Sequence, residues 1–197
     1  MHKGQVFSTS NYRLQPFTVD LEENYEMILE GLHKIFSKQQ VIEFNVDRKL
    51  KTIEDAHLFL HSTFLGYEEK TFFNYFLIDK VNNALAGTIT LISPKTTSSI
   101  YPFFNHFINS NKEKDSTWTI EFYLDPMYWN KGIMTNFVSV IVKELFKQGA
   151  TNVCALTNTQ NIASISLLKK LSFIQIDEYN DFQGQVLWNR KLQISLV

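Results

Sequence analysis

The strongest constraint on the fold lies between residues 118 and 173, where strand patterns and helix patterns alternate along the chain. The first segment is typical of a strand with two different faces, because apolar residues occupy every second position, at Trp118, Ile120, Phe122 and Leu124. Asp125-Pro126 ends it. A helix pattern over Thr135–Gln148, a strand pattern over Asn152–Thr157 and a helix pattern from Asn161 to about Leu171 follow. This order predicts a sheet with parallel strands and with helices on its faces.

The segments on either side extend the sheet to about six or seven strands. Further strand patterns cover Tyr12–Thr18, Phe73–Asp79, Leu85–Ile92, Phe173–Tyr179 and Gln185–Leu192, of which the second and third form a hairpin signal. Helix patterns run from Asp20, as the N-cap, to about Phe36, and over Thr52–Gly66, where Thr52 and Asp55 resemble a capping box. We therefore predict an α/β fold with one central, twisted, mixed sheet, antiparallel at first and parallel further on, and helices on both faces.

Residues 94–116 show no regular pattern. The stretch is polar apart from an aromatic cluster formed by Tyr101, Phe103, Phe104 and Phe107. A loop of this length is uncommon in a compact domain, and such loops often serve binding. We favour an insertion that packs on the core, and a binding role is the alternative.

Length and composition indicate one cytoplasmic globular domain over residues 1–197. Hydrophobic residues make up 44% and charged residues 20% of the chain, and 19 Lys and Arg nearly balance 20 Asp and Glu, so no basic surplus points to a nucleic-acid partner. Cys154 is the single cysteine, which excludes an internal disulfide and favours a reducing compartment. The start of the chain lacks the apolar run of a signal peptide, and no stretch of about 18 apolar residues exists, so we expect no membrane partner.

Two short motifs combine residue types that can bind a phosphate or cap a helix. The turn at residues 126–135 contains Gly132, which permits a positive φ or a close backbone approach. The start of a helix presents unpaired N–H groups and the positive end of the helix dipole, which together attract a phosphate. Asn161 is a good N-cap for the later helix, and Ser164 lies one turn further on nearly the same side. Each motif alone is more often structural than functional.

Taken together, the two motifs resemble the GNAT acetyltransferase family, and within it the branch of the ribosomal-protein alanine N-acetyltransferases. The first family motif reads Pro-x-Tyr-(Trp/Gln)-Gly-Lys-Gly-(Tyr/Ile)-(Ala/Met)-Thr-Glu, and this chain matches it with Pro126, Tyr128, Trp129, Lys131, Gly132, Ile133, Met134 and Thr135. The second reads Asn-x-x-Ser-x-x-(Leu/Val)-Leu-Glu-Lys-Leu-Gly-Phe, matched by Asn161, Ser164, Leu167, Leu168, Lys170, Leu171 and Phe173. The chain departs from the motifs at four positions, Asn130, Asn136, Lys169 and Ser172, which replace Gly, Glu, Glu and Gly.

The resemblance implies an N-acetyltransferase that uses acetyl-CoA as co-substrate, with a cofactor-binding core over about residues 118–173 and no metal. It implies that backbone N–H groups of residues 130–135 hold the coenzyme A pyrophosphate, and that residues 122–124 pair with the pantetheine arm like an added strand. The side chain of Asn161 would contact the same arm, with Ser164 near the sulfur. The implied cofactor-binding residues are Phe122, Tyr123, Leu124, Trp129, Asn130, Lys131, Gly132, Ile133, Met134, Thr135, Asn161 and Ser164.

Acetyl transfer to an amine requires a neutral amine, a polarised thioester carbonyl and a proton for the departing thiolate. We predict Glu121 as the general base, acting through water, although many relatives carry glycine there and an ion-paired strand carboxylate explains the residue equally well. The oxyanion donor is the backbone N–H of Tyr123 or Leu124. Many family members place a tyrosine acid where this chain has Leu168, so we predict Ser164 as the group that protonates or hydrogen-bonds the thiolate.

The family implies an acceptor groove built from residues 37–52, 94–116 and 179–184. These segments and their neighbours combine aromatic with acidic residues, which suits a cationic amine; the set comprises Phe44, Tyr101, Phe103, Phe104, Phe182, Glu43, Asp47, Asp177, Glu178 and Asp181. We therefore expect a small-molecule amine or a protein N-terminus as the acceptor, bound by a monomer or a homodimer.

Other interpretations of the same residues are kept open. One alternative is a non-catalytic module that keeps the fold and binds coenzyme A or another ligand as a sensor. A nucleotide-binding domain is less favoured, because neither a Gly-x-Gly-x-x-Gly nor a Gly-x-x-x-x-Gly-Lys-Ser/Thr motif occurs. His57 and His61 have a spacing that metal ligands can have, but no third ligand accompanies them. We predict ordinary helix histidines and no metal.

Overall fold

The computed structural model describes residues 5–18, 21–100, 116–180 and 185–191. Its strands are β1 (Phe7–Ser8), β2 (Tyr12–Pro16), β3 (Phe72–Asp79), β4 (Ala84–Ile92), β5 (Thr117–Leu124), β6 (Asn152–Asn158), β7 (Ile174–Asn180) and β8 (Gln185–Lys191). Its helices are α1 (Leu21–Phe36), α2 (Gln39–Ile42), α3 (Ile53–Glu68), α4 (Pro94–Ile100), α5 (Ile133–Lys147) and α6 (Ile162–Lys170), with short 3-10 turns at Val46–Arg48 and Pro126–Tyr128. None of the helices in these ranges combines the length and the apolar character needed to cross a membrane.

The strands follow one another in a mixed sheet in the order β1-β2-β3-β4-β5-β6-β8-β7. β5 and β6 are parallel, whereas β1 with β2, β2 with β3, β6 with β8 and β7 with β8 are antiparallel. The predicted α/β fold with a mixed sheet is confirmed, but the described residues form eight strands instead of the predicted six or seven. The additional strand is β1, whose two residues are too few to show an alternation of apolar and polar positions.

The chain divides into two compact units, which are described separately. The N-terminal unit, described over residues 5–18, 21–90 and 122–137, has a core between the helices α1 and α3 and the strands beside them. Buried residues of α1 recur every three or four positions, at Ile28, Leu29, Leu32, Ile35 and Phe36, which is the period of one helix face. They pack in one cluster with Ala56 and Leu60 of α3 and with Phe76, Ile78 and Leu85 of the hairpin β3–β4.

Helix α3 begins with the capping box that the sequence predicted. Thr52 Oγ1 accepts a hydrogen bond from the Asp55 amide at 3.2 Å, and Asp55 Oδ2 accepts one from the Thr52 amide at 3.0 Å. The exchange satisfies two backbone donors that the helix cannot satisfy itself. Asp20, the predicted cap of α1, lies outside the described residues.

The C-terminal unit, described over residues 91–100, 116–121, 138–180 and 185–191, contains β6, β7 and β8 with α6. β6 pairs with β8 along its whole length, from Asn152 to Asn158, whereas its parallel ladder with β5 covers Thr117 to Thr119. Helix α4 occupies the start of the segment for which the sequence showed no pattern. The sequence did not predict this helix, because a polar helix of seven residues is too short to display a period. The predicted aromatic cluster at Tyr101, Phe103, Phe104 and Phe107 lies outside the described residues.

Helix α6 ends in a residue with a left-handed backbone. Ser172 has a φ of 60°, and the amides of Ser172 and Phe173 donate to the carbonyls of Lys169 and Leu168 at 3.0 Å each. These are the hydrogen bonds of a C-terminal helix cap. Glycine adopts this conformation without steric cost, and the related motif carries glycine here, so Ser172 retains the cap at a cost of about 1 kcal/mol.

We expect Ser172→Gly to raise the free energy of unfolding by about 0.5–1 kcal/mol, because it removes the Cβ from a left-handed position. Urea unfolding followed by circular dichroism measures this change. Ser166→Gly is the matched control, since Ser166 is an exposed residue inside the same helix and glycine there lowers stability by about 0.5 kcal/mol. Changes of the same sign in both variants would contradict the role assigned to the Ser172 backbone.

Candidate active site

The turn between β5 and α5 holds its backbone in a conformation that suits an anion. Asn130 and Gly132 have φ values of 60° and 70°, and they flank Lys131. Left-handed residues next to the first turn of a helix direct neighbouring N–H groups to one side, which forms a concave site of partial positive charge. Helix α5 begins at Ile133 and is 15 residues long, so the positive end of its dipole lies at the same place.

Asn130 keeps this conformation although it replaces a glycine of the related motif. Asparagine is one of the few residues besides glycine that adopt a left-handed backbone readily. The φ of 60° at Asn130 shows that the turn retains the backbone that a glycine would supply.

The residues of the turn divide into anchored and exposed ones. The side chains of Ile133 and Met134 are buried, whereas Asn130, Lys131 and Gly132 are exposed. A Cβ at Gly132 would have no atom within 4 Å, so its φ is the reason for a glycine here, and the space over its backbone is open. The Asn136 amide donates to the Gly132 carbonyl at 3.0 Å. That bond opens the helical ladder, so the N–H groups of residues 133–135 have no partner within the helix.

The end of β5 presents one edge to β4 and the other edge away from it. A Cβ at Gly87 of β4 would collide with the Tyr123 carbonyl oxygen, and the Asp125 amide donates to the Ala86 carbonyl at 2.8 Å. The backbone groups of Tyr123 and Asp125 therefore point to β4, and those of Leu124 point to the opposite edge, because neighbouring residues of a strand alternate. Of the two predicted oxyanion donors, the Leu124 amide therefore points away from β4 and the Tyr123 amide points to it.

Trp129 and Lys131 fold back onto this part of the chain. Trp129 Nε1 donates to the Leu124 carbonyl at 2.8 Å, while the tryptophan side chain is partly exposed. Lys131 Nζ lies 5.7 Å from the centre of the Tyr128 ring, over its face, where an ammonium group is attracted to the π electrons. Both side chains therefore lie beside the exposed backbone of the turn.

A buried carboxylate fixes Tyr128, which precedes the exposed part of the turn. Asp79 is 4% exposed and accepts hydrogen bonds from the Tyr128 hydroxyl at 3.0 Å, from Asn82 Nδ2 at 2.7 Å and from the Val81 amide at 2.9 Å. Burial acts to raise the pKa of Asp79, but the hydrogen bonds from Asn82, Val81 and Tyr128 outweigh it and lower the pKa. Burial, and then the hydrogen bond and charge of Asp79, raise the pKa of Tyr128 to about 12. Tyr128 is therefore a neutral hydrogen-bond donor at neutral pH.

A second buried carboxylate, Asp125, connects the turn to the segment after α1. Asp125 is 1% exposed; its Oδ2 lies 2.6 Å from Lys38 Nζ, and its Oδ1 accepts a hydrogen bond from the Met127 amide at 3.0 Å. In the sequence, Asp125 stands out only as the end of a strand, and Asp79 and Lys38 carry no signal of their own. The Asp-Pro pair that opens the 3-10 turn is the available signal, because an aspartate before such a turn often caps it.

The remaining predicted site residues lie in the C-terminal unit. Asn161 is the N-cap of α6, and its Oδ1 accepts a hydrogen bond from the Ser164 amide at 3.0 Å, which leaves its Nδ2 outside this cap. The side chain of Ser164 is half-buried. Glu121 is also half-buried and lies on β5 two residues beyond Thr119, the last residue in the register of the β5–β6 ladder. Leu168 is fully buried, and its aliphatic side chain has no ionisable group that could transfer a proton.

The predicted site residues are thus divided between the two units. The strand end at residues 122–124 and the turn at residues 129–135 belong to the N-terminal unit and are joined by the contacts described above. Glu121, Asn161 and Ser164 belong to the C-terminal unit, where the cap joins the last two.

Two other reactive side chains have structural partners. Cys154 is fully buried, its Sγ lies 3.6 Å from Asn189 Oδ1, and burial strongly raises the pKa of its thiol, which makes it a poor nucleophile. The Tyr25 hydroxyl lies 2.7 Å from His57 Nδ1.

In the part of the chain that the structure describes, no group of three His, Cys, Asp or Glu residues is arranged to hold a metal ion.

Comparison with known proteins gives the same family over most of the chain. A family model described as "Acetyltransferase (GNAT) domain" matches residues 25–174. Similar solved structures include a GNAT acetyltransferase from Bacillus anthracis, with a TM-score of 0.67, 16% identity and coverage of 95% of this chain and 98% of that one. No curated protein sequence gives a significant match.

Two further structures carry more specific descriptions. One is the ribosomal-protein-S5-alanine acetyltransferase of Vibrio fischeri, with a TM-score of 0.63, 17% identity and coverage of 95% of this chain and 96% of that one. Another is the ribosomal L7/L12 α-N-protein acetyltransferase RimL in complex with coenzyme A, with a TM-score of 0.68, 12% identity and coverage of 95% and 98%. At these identities the likeness establishes the fold.

We expect the free energy of unfolding of the wild-type protein to fall between pH 10 and 12 because Tyr128 ionises. Tyr128→Phe should not show this fall. The pKa of Tyr128 is raised from 10.0 to about 12 in the folded protein, so its contribution is fully present below pH 10 and is lost as the pH rises through 12. A shift of this size corresponds to about 2–3 kcal/mol. Urea unfolding across this pH range measures the difference between the two proteins.

The stability difference between Tyr128→Phe and the wild type at neutral pH is the reference for the difference at high pH. At neutral pH Tyr128→Phe loses the hydrogen bond to Asp79, and we expect it to be less stable than the wild type by about 1 kcal/mol. The difference should shrink and reverse above pH 10. Parallel stability profiles of the two proteins at high pH would contradict the assigned interaction.

Proposed function

The chain belongs to the GNAT family of acetyltransferases, whose domain model spans residues 25–174, and we propose that it transfers an acetyl group from acetyl-CoA to a primary amine. The observation that carries this proposal is the pair of left-handed residues, Asn130 and Gly132, at the start of α5. This backbone conformation supports a phosphate site in the segment where the family motif implies one. We further propose that residues 1–197 act as one functional domain in the cytoplasm.

The turn is the proposed site of the coenzyme A pyrophosphate. Backbone N–H groups of residues 130–135 lie at the positive end of the α5 dipole, and the exposed backbone of Gly132 has open space above it. Lys131 adds a positive charge beside them. Backbone donors of this kind suit a doubly charged pyrophosphate, because they need no further ordering when it binds.

The pantetheine arm is proposed to lie along the edge of β5 that points away from β4. On that edge the backbone groups of Phe122 and Leu124 have the direction needed to pair with an amide of the arm, in the manner of an added strand. The Leu124 carbonyl already accepts from Trp129 Nε1, so the Leu124 amide and the Phe122 groups are the proposed contacts. Asn161 is proposed to donate from Nδ2, since its Oδ1 caps α6.

The proposed reaction is a direct transfer in a ternary complex. The amine nitrogen attacks the thioester carbonyl carbon and gives its proton to Glu121 through a water molecule, so that a C–N bond forms as the C–S bond breaks. The Leu124 amide stabilises the negative charge on the carbonyl oxygen. The Ser164 hydroxyl donates a hydrogen bond to the departing thiolate, which leaves as coenzyme A after it takes a proton.

We propose a protein N-terminus or a small-molecule amine as the acceptor. Two proteins of similar fold are described as acetyltransferases of a ribosomal-protein alanine and of a protein α-amine. In the described part of the expected groove, Glu43 and Asp47 are exposed and Phe44 is half-buried. Carboxylates and an aromatic ring attract a protonated amine before it loses its proton. Residues 101–115 and 181–184 of the expected groove lie outside the described ranges.

We expect acetyl-CoA to stabilise the wild-type protein and to stabilise Gly132→Ala much less. At about 100 times its Kd the ligand adds roughly 2.7 kcal/mol to the unfolding free energy, which a thermal-shift titration detects, with NAD and ATP as controls. Alanine at the φ of 70° costs about 1–2 kcal/mol, and relaxation of the turn should weaken binding by about tenfold.

Gly149→Ala is the matched control for this titration. Gly149 has a φ of 93° and, like Gly132, open space around its Cβ position, but it lies just beyond the other end of α5. We expect the same loss of intrinsic stability and an unchanged affinity for acetyl-CoA. Absence of any stabilisation of the wild type at millimolar acetyl-CoA would refute the transferase proposal.

We expect Glu121→Gln to lower kcat by roughly 10²–10⁴-fold with little change in the affinity for acetyl-CoA, since the variant removes a base and no cofactor contact. In the same assay, Ser164→Ala should lower turnover several-fold, with Ser166→Ala of the exposed face of α6 as the control. Release of the coenzyme A thiol with a panel of peptide N-termini, polyamines and amino acids measures turnover. Full activity of Glu121→Gln across the pH range would exclude Glu121 as the base.

A further inference from the structure

We propose that Lys38 and Asn45 are positioning residues that link the acceptor segment, defined as residues 37–52, to the cofactor strand β5. This inference rests on the proposed function. Both residues lie in the acceptor segment, and each contacts the end of β5: Lys38 contacts Asp125, and Asn45 contacts Tyr123. Binding of the cofactor along β5 is thereby coupled to the position of the segment expected to meet the amine.

The contact between Lys38 and Asp125 is a short ion pair that is largely removed from water. Lys38 Nζ lies 2.6 Å from Asp125 Oδ2, and the two side chains are 31% and 2% exposed. Charge-assisted hydrogen bonds of this length are among the strongest in proteins. Because Asp125 has a buried carboxylate, separation from Lys38 would leave a charge without part of its compensation. The position of Asp125 therefore determines where the beginning of the acceptor segment can lie.

The contact between Asn45 and Tyr123 fixes the middle of the acceptor segment. Asn45 Nδ2 donates to the Tyr123 hydroxyl oxygen at 2.8 Å. The Tyr123 ring lies with its centre 4.9 Å from that of Phe36, the last residue of α1, so the ring has an aromatic neighbour that limits its movement. A displacement of β5 at Tyr123 would thus be transmitted to Asn45 through a defined hydrogen bond.

The acceptor segment has little regular structure of its own to resist such displacement. Its helix α2 has four residues, and no side chain caps its N-terminus, so it lies below the length at which a helix is stable by itself. Ile42 and Leu50 anchor the segment in the core, whereas Glu43 and Asp47 are exposed. Val41 also packs against the core, and the polar contacts with β5 add two defined connections for the residues between Ile42 and Leu50 and at the start of the segment.

The coupling follows from the positions of the two contacts along β5. Tyr123 and Asp125 flank Leu124, whose amide is the proposed oxyanion donor. A cofactor arm that pairs with residues 122–124 also restricts the Tyr123 hydroxyl and the neighbouring Asp125 carboxylate, and hence the acceptor segment. Linkage is reciprocal, so loss of both contacts should also weaken the binding of the cofactor.

Amide hydrogen exchange with coenzyme A as the probe tests the inference on the full chain. We compare the wild type with the double variant Lys38→Met/Tyr123→Phe, which removes both polar contacts and keeps the alkyl stem and the aromatic ring. Lys34→Met is the matched control, because Lys34 is an exposed lysine in the last turn of α1, four residues before Lys38. Lys38→Arg tests rescue by a conservative change, and circular dichroism verifies that each variant folds.

We expect coenzyme A to slow exchange at residues 129–135 in all four proteins. It should also slow exchange over residues 37–52 by roughly fivefold or more in the wild type, in Lys34→Met and in Lys38→Arg, but not in the double variant, which should bind coenzyme A roughly fivefold more weakly. Equal slowing over residues 37–52 in the double variant, or slowing confined to residues 129–135 in the wild type, would overturn this inference alone. No slowing at either segment in the wild type would refute the proposed function and the inference with it.

Discussion

The carboxylate of Asp125 is the constraint on which the rest of the proposed site depends. It is 1% exposed, and its partners are Lys38 Nζ and the Met127 amide, while the backbone amide of the same residue is bound to Ala86 of β4. A charge removed from water is stable only where donors replace its hydration. Because these two donors come from the acceptor segment and from the turn, satisfying one carboxylate at the strand end brings all three segments to a common point.

The buried carboxylate of Asp79 holds the 3-10 turn in place, as that of Asp125 holds the strand end. Its hydrogen bond to Tyr128 holds the residue that precedes the exposed part of the turn. The hydrogen bonds that Asp79 accepts lower its pKa against the effect of burial, whereas burial and the Asp79 carboxylate raise the pKa of Tyr128 and keep it protonated. The turn at residues 129–132 is therefore held at both its start and its helix end, where Ile133 and Met134 are buried. Its N–H groups are oriented before any ligand binds, which lowers the entropic cost of binding an anion.

Local features of the sequence were predicted well because their physical causes are local. The existence of the strand β5, the spacing of buried residues in α1 and the exchange between Thr52 and Asp55 depend on residues at most a few positions apart. The tolerance of Asn130 for a left-handed backbone is likewise a property of one residue type. The strand β1 and the helix α4 were not predicted, because neither is long or apolar enough to show a period.

The sequence by itself therefore determined the order of the longer strands and helices, the glycine and asparagine positions of the turn before α5, and the family motifs that imply acetyl transfer. Only the tertiary structure decided which carboxylates support that turn and which edge of β5 points away from β4. Tyr128 meets Asp79 across 49 positions and Lys38 meets Asp125 across 87. No periodic pattern connects residues so far apart, because such pairs are selected by the packing of whole strands and helices, which brings their charged ends together after the apolar faces are buried.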